Sequence, residues 1–216
     1  MNLEQLIKEN KKFRKEILPK YEKKLKKTTI YGQKPEILFI SCSDSRINPE
    51  LMMGIKPGDM FSIRNVGNFV PKYDKSTNPN STASAIEYAV SVLKLKNIII
   101  CGHSYCGACK GLHEGNFEDD SLAHLKVWLD GGKDIKQQAL EETKNIEDKH
   151  LLYTNTEKIS VVTQMQNLKT FPEVKKGLED KSLQIHAWYY HIESGKIEFY
   201  CEEDKKFKPL NKKNIK

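Results

Sequence analysis

An α/β fold on a mostly parallel central sheet is what this sequence predicts, and three observations carry that expectation. Ile37 to Ser41 is a short, continuous apolar run, as expected of a strand covered on both faces, and Asn97–Cys101, built on Ile98-Ile99-Ile100, reads as another strand. Between and after them, apolar residues recur at helical spacing. Near the end, Leu183–Tyr190 and Lys196–Cys201 flank Glu193-Ser194-Gly195, a hairpin signal. Strand–helix alternation implies parallel strands joined by crossovers, and the hairpin adds an antiparallel neighbour. With Asp59–Arg64 as a further strand, the expectation is four parallel strands plus one antiparallel edge strand, flanked by helices and preceded by an N-terminal helical arm.

The elements follow in order. Residues 2–27 place Leu3, Leu6, Ile7, Phe13, Ile17, Leu18, Tyr21 and Leu25 among many Lys and Glu, giving a helix with a narrow apolar stripe. That stripe must lie on its own domain or on a partner subunit. Asn48-Pro49 starts a short helical turn, with Pro near the first position. A loop over 65–80 leads to a helix capped by Ser81 or Thr82 and running to about Leu95, with Ala85, Ala89, Val92 and Leu93 facing inward. Further helices are expected from near Cys106, over about 121–130 and over about 134–152. Ile159, Val162, Met165 and Leu168 recur every three residues and predict a helix that breaks before Pro172.

Composition narrows the possible functions. At 216 residues, with 38% apolar and 30% charged residues, the chain suits one soluble domain with an added arm. No run is apolar for long enough to cross a membrane, and the charged N-terminus lacks the apolar segment of a signal peptide, so a cytoplasmic location is expected. Residues 1–27 hold ten Lys/Arg against four Glu, and residues 201–216 hold six Lys against three acids. The net charge of +7 therefore lies in the two ends, leaving a slightly negative body. No basic groove interleaved with aromatics is present, so solvated helix faces explain the basicity better than nucleic-acid binding does. Five cysteines are too few, and too concentrated at strand ends, for a secreted disulfide framework.

Two clusters carry the chemistry. Cys42-Ser43-Asp44-Ser45-Arg46 follows the first apolar run, and His103-Ser104-Tyr105-Cys106-Gly107 follows Ile98-Ile99-Ile100. Each places metal ligands at the carboxyl end of a strand, where open α/β sheets hold their ligands. Cys42, His103 and Cys106 form a two-thiolate, one-imidazole set suited to Zn²⁺, and three protein ligands leave the fourth tetrahedral position open for catalysis. A helix starting near Cys106 would favour its thiolate. Asp44 would accept a hydrogen bond from a zinc-bound hydroxide, and Arg46 would hold Asp44 in place and ionised. Asp-x-Arg by itself reads as a surface ion pair; joined to the two ligand clusters it reads as catalytic.

Cys-x-Asp-x-Arg, followed about sixty residues later by His-x-x-Cys-Gly, resembles the β-class carbonic anhydrases. The likeness extends from about Gly32 to Cys201 and includes Arg64-Asn65, Val70-Pro71-x-Tyr73-Asp74 and Ala85-Ile86-Glu87-Tyr88-Ala89. The resemblance implies reversible hydration of CO₂ to bicarbonate and a proton, with one Zn²⁺ per chain on Cys42, His103 and Cys106 and with Asp44 and Arg46 as the catalytic dyad. Gly32-Gln33 is similar to the plant-type pattern, in which the Gln reaches a neighbouring subunit's active site and hydrogen-bonds substrate. Phe61 and Tyr88 align with that subgroup's pocket residues, and Gly107 with the glycine whose backbone lies beside substrate. The family's obligate dimers, often assembled into tetramers or larger, imply a homo-oligomer. Residues 1–30 would be its dimerisation arm and 31–216 its zinc-binding catalytic domain. Phe39 stands where a second subgroup carries Trp, so water on zinc is expected and not closure by Asp44, although Arg64 is present as in that subgroup.

Rival readings are a CS₂ or COS hydrolase on the same fold and a non-catalytic zinc-stabilised module. Cys109 forms Cys-x-x-Cys with Cys106, but Cys106 already has a use as a ligand. Cys101 and Cys201 read as small core residues, and Trp128 and Trp188 as packing residues. His113, His124, His150, His186 and His191 read as structural or exposed, with His113 or His124 the candidates for proton export.

Overall fold

The computed structural model describes residues 2–75, 78–117 and 119–213; residues 76–77 of the anticipated loop over 65–80 lie outside them. Six strands form one sheet in the order β2-β1-β3-β4-β5-β6. They are β1 (Ile37–Cys42), β2 (Met60–Asn65), β3 (Asn97–His103), β4 (Gln184–Tyr190), β5 (Ile197–Cys201) and β6 (Lys206–Pro209). β2, β1, β3 and β4 run parallel, and β5 and β6 add antiparallel pairs. The expected sheet is therefore present with one strand more. Lys206–Pro209 holds a single apolar residue among lysines and proline, too little to mark a strand until β5 offers an edge.

Strand periodicity divides the core. Leu38, Ile40, Ile98 and Ile100 face one side with Val161, Met165 and Leu168, while Phe39, Ile99 and Cys101 face the other with Met53 and Trp188. Both faces are dry, which explains why these strands are continuous apolar runs. Phe39 is fully buried and meets Trp188 edge-on, with ring centroids 6.3 Å apart.

Several helices differ from expectation. The N-terminal segment comprises α1 (Leu3–Lys12) and α2 (Glu22–Tyr31), joined through tighter and wider turns around Pro19 and ended by Gly32 at φ +82°. After α3 (Pro49–Met53), α4 (Ser81–Glu87) is capped by Asn80, whose side chain accepts the Ala83 N–H, and not by Ser81 or Thr82. A wide turn over Tyr88–Val92 then rotates the helix face. Val92, expected inside, is exposed, and Leu95 is buried instead.

The remaining helices are α5 (Gly107–Glu114), α6 (Ala123–Asp130), α7 (Lys133–Glu142), α8 (Lys149–Leu168) and α9 (Pro172–Glu179). The single helix expected over about 134–152 is thus two. Asp148 caps α8 by accepting the His150 and Leu151 N–H groups, and α8 then continues through the apolar stripe to Leu168. Pro172, read only as a stop, is also the first residue of α9, where its missing N–H costs no hydrogen bond. α8 crosses β3 and β4, and Gly102 permits the approach: a Cβ there would sit 2.2 Å from Val161 Cγ2.

A candidate metal centre at the carboxyl ends of β1 and β3

Cys42 is the last residue of β1 and His103 the last of β3; Cys106 caps α5. The loops leaving adjacent parallel strands bring the three together. Their ligand atoms all lie within 4.8 Å of one another, and their residues are 6%, 1% and 2% exposed. Among the described residues, no other group of His, Cys, Asp and Glu is so arranged.

Chemistry favours a metal at this point. His103 Nδ1 lies 2.9 Å from the Ser104 carbonyl oxygen, which can only accept, so Nδ1 carries the proton. Nε2 is then left with a lone pair, buried and without a partner in the protein. Orphaned buried polar atoms are costly, and this one faces two sulfurs. Left to themselves, the thiols resist ionisation: the neighbouring Cys106 sulfur, then burial, push Cys42 up to about 12. Hydrogen bonding with Cys109 pushes Cys106 up as well. A divalent cation reverses that balance by ionising coordinated thiols. Zn²⁺ fits this donor set.

Asp44 and Arg46 form a bidentate pair beside the cluster. Arg46 Nε donates to Asp44 Oδ1 at 2.9 Å and Nη2 to Oδ2 at 2.7 Å, while the Arg46 backbone N–H adds a third bond to Oδ1. These bonds hold the Asp44 carboxyl well below the usual carboxylate range. Arg46 Nη2 also donates to the Tyr105 carbonyl at 2.9 Å, tying the two ligand loops together. Tyr105 is held at φ +58°, a strained position midway between His103 and Cys106. Gly107 follows with open space at the position of a Cβ.

The structure gathers Cys42, His103, Cys106, Asp44, Arg46 and Gly107 at one end of the sheet. It does not bring Gln33, Phe61 and Tyr88 to them within one chain. Phe61 pairs with Leu38, whereas Cys42 pairs with Asn65, so Phe61 is four residues away along the strands. At roughly 3.3 Å per residue that is about 13 Å. Tyr88 accompanies Phe61, with ring centroids 5.9 Å apart, and Gln33 precedes β1.

Other supporting residues have little mark in the sequence. Gly67, at φ +78°, donates its N–H to Cys42 Sγ at 3.4 Å, and a Cβ there would sit 2.9 Å from Ala108 Cβ. Arg64 is spent on backbone, with Nε on Cys42 O at 3.1 Å and Nη2 on Asp44 O at 2.7 Å. Glu157, 3% exposed on α8, accepts the Cys106 N–H at 2.8 Å and the Tyr189 hydroxyl at 2.6 Å. Burial pushes its carboxyl up to about 7. Its sequence surroundings, Thr154-Asn155-Thr156-Glu157-Lys158, are polar and give no sign that it is buried.

Of the remaining singled-out residues, His124 is exposed, and those that follow are packed or paired. Trp128 donates to Val66 O at 2.7 Å and stacks on Phe69. His113 meets Thr156, His150 meets Tyr105, His186 meets Asn97, and His191 lies between Glu193 and Glu198. Cys101 is buried, while Cys201 is half-buried and donates to Asp204.

The matching family model is described as carbonic anhydrase and spans residues 37–197, including all the ligand and dyad positions. A Synechocystis carbonic anhydrase is 37% identical over 170 residues, covering 79% of this chain and 61% of the relative. The chain thus spans about three fifths of the length of the two cyanobacterial relatives it matches. Carbonic anhydrase 1 of Escherichia coli O157:H7 is 35% identical over 201 residues, covering 92% and 88%. Among solved structures, the β-carbonic anhydrase CcaA superposes with a TM-score of 0.89 at 33% identity, over 96% of this chain and 99% of that one. A tetrameric β-carbonic anhydrase from Sordaria macrospora gives 0.79 at 29% identity, over 91% and 95%. With the model matched from β1 into β5 and relatives above 30% identity over most of its length, this chain belongs to the β-carbonic anhydrase family.

Proposed function

We propose that the chain is a zinc-dependent carbonic anhydrase that interconverts CO₂ with bicarbonate and a proton, acting as a homodimer or a larger assembly of dimers. The observation that carries this reading is the buried His103 Nε2, without a partner, facing Cys42 and Cys106 beside a carboxylate already committed to Arg46. Cys42, His103 and Cys106 would hold the zinc, which would supply a water acidic enough to lose its proton near pH 7. Asp44 accepts a hydrogen bond from the attacking oxygen and orients it. Arg46 keeps Asp44 ionised and aimed. The open space at Gly107 admits a small, flat substrate along bare backbone.

Gln33, Phe61 and Tyr88 serve the same chemistry from a second copy. Two features support this. Tyr88 stands 43% exposed with Phe61 behind it, and no described residue of α1 or α2 is buried, with Leu3, Leu6 and Ile7 at 72%, 51% and 50% exposure. An apolar stripe that finds no cover in its own chain is the expected face of an exchanged arm. Gln33 then supplies a hydrogen bond to a substrate oxygen as charge develops there.

Stopped-flow CO₂ hydration above pH 8, with zinc content measured on the same samples, tests the assignment. Asp44→Asn is expected to keep zinc and lose about 10²–10⁴-fold in kcat/KM, the usual worth of a proton-handling group. Cys42→Ser is expected to lose zinc and activity together. One zinc per chain without CO₂ hydration sinks the reading, and turnover of CS₂ in the parallel assay would replace it.

A further inference from the structure

The turn between β4 and β5, which in the sequence marks only a reversal of direction, lies against the loop that carries His103 and Cys106. Ser104, 6% exposed, is the joint. Its N–H donates to Tyr190 O at 2.9 Å. Its hydroxyl donates to Glu193 Oε2 at 2.8 Å and accepts the Ile192 N–H at 2.9 Å. Its carbonyl accepts the His103 Nδ1 proton at 2.9 Å. Every polar group of this residue is used, on the turn or on the imidazole.

Glu193 gives this joint its direction. An ionised carboxylate only accepts, so the Ser104 hydroxyl must donate to it, which leaves the hydroxyl oxygen free to accept from Ile192. Hydrogen bonds from its own backbone N–H, then from Ser104, hold the Glu193 carboxyl below its ordinary range. Its other oxygen lies 3.4 Å from His191 Nδ1, which steadies the carboxylate from the far side. Histidine ligands are oriented by the partner of their second nitrogen, and here that partner is itself anchored to the turn.

We propose that Glu193 is a positioning residue for the metal centre: through Ser104 it fixes the carbonyl that orients His103, and so aims Nε2 at the position between Cys42 and Cys106. The inference rests on the zinc reading above. Nothing in the Glu193-Ser194-Gly195 turn signals it, because the contact joins residues 89 apart in the chain.

Transfer of zinc from the loaded full-length protein to a chromophoric chelator tests it, with Glu193→Ala, Glu193→Gln and Ser104→Ala compared with wild type. Glu193 is half-exposed in a surface turn, and thermal unfolding of each variant checks that the fold persists. Glu193→Ala is expected to release zinc about tenfold faster, and Ser104→Ala at least as fast, within the about 10–100-fold range for outer-shell partners. Glu193→Gln keeps an acceptor for the Ser104 hydroxyl and is expected to stay within about twofold of wild type. Release from Glu193→Ala at the wild-type rate, or from Glu193→Gln as fast as from Glu193→Ala, overturns the positioning role alone. A wild-type chain that binds no zinc overturns the zinc reading and this inference together.

Discussion

At the carboxyl end of the sheet, Cys42, His103 and Cys106 are 6%, 1% and 2% exposed, whereas elsewhere Leu3, Leu6 and Tyr88 stand at 72%, 51% and 43%. The first region is supported from within one chain, with His103 Nε2 left for a metal. Gly67, Arg64, Glu157 and Ser104 each spend a hydrogen bond on a ligand residue or its backbone. In the second region, apolar side chains are exposed, and Phe61, with Tyr88 beside it, lies about 13 Å from Cys42 by strand register. The contrast teaches that the proposed metal site and the proposed substrate pocket are built separately. Ligand geometry is built locally, where burial makes each misplaced polar group expensive. On the proposed function, the apolar pocket is left for association to assemble.

Separability can be broken most sharply at the arm. Leu6→Glu with Ile7→Glu removes the stripe of α1 without touching the sheet. Each buried aliphatic is worth about 1.5–3 kcal/mol, so the pair is expected to raise the dimer dissociation constant by at least about 10²-fold. Analytical ultracentrifugation should then show monomers that keep one zinc per chain but hydrate CO₂ poorly. Full activity in a zinc-loaded monomer would refute the shared pocket.

Gly67→Ala probes the self-contained side. It places a Cβ at φ +78° and 2.9 Å from Ala108, for an expected loss of about 1–3 kcal/mol in unfolding free energy. Faster zinc release should accompany it, since the Gly67 N–H points at Cys42 Sγ. An unchanged melting temperature would show that the ligand loops are slacker than their packing implies.

The smallest effect concerns the hairpin. Burial alone would raise the Glu198 carboxyl, but Lys158 at 2.6 Å and His191 at 3.1 Å outweigh it and lower the pKa. A folded value below the unfolded one means stability that is present above about pH 4 and lost as pH falls through the folded value. Glu198→Gln should therefore reduce stability at neutral pH by about 1 kcal/mol and flatten its decline in acid, as measured by urea unfolding between pH 3 and 7. An equally steep acid decline in the variant would place the acid-sensitive group elsewhere.

Legibility in the sequence followed the range of the interaction. The parallel strands could be read because β1 and β3 are buried on both faces and carry continuous apolar runs, Ile37–Ile40 and Ile98–Cys101. β6 could not, because an edge strand of lysine and proline is stabilised by its neighbour and not by its composition. The helical period places Val92 on the inner face, but the wide turn over Tyr88–Val92 that follows α4 breaks the 3.6-residue period and leaves it exposed. Asp148 and Pro172 are local helix signals that could have divided the helices correctly.

The amino-acid sequence by itself marked Cys42, His103 and Cys106 as candidate ligands, Asp44 and Arg46 as a candidate dyad, and the parallel strands that carry them, because each lies in a short motif that follows an apolar run. Only the tertiary structure decided which groups reach those residues and their loops: Glu157 from α8, Gly67 and Arg64 from the β2 edge, and Glu193, through Ser104, from the turn between β4 and β5. It also separated Phe61 and Tyr88 from the metal cluster of their own chain. The physical reason is the same in each case. A hydrogen bond or a strand register between residues far apart in the chain leaves no periodic trace in either segment, and it takes form only when the sheet sets them side by side.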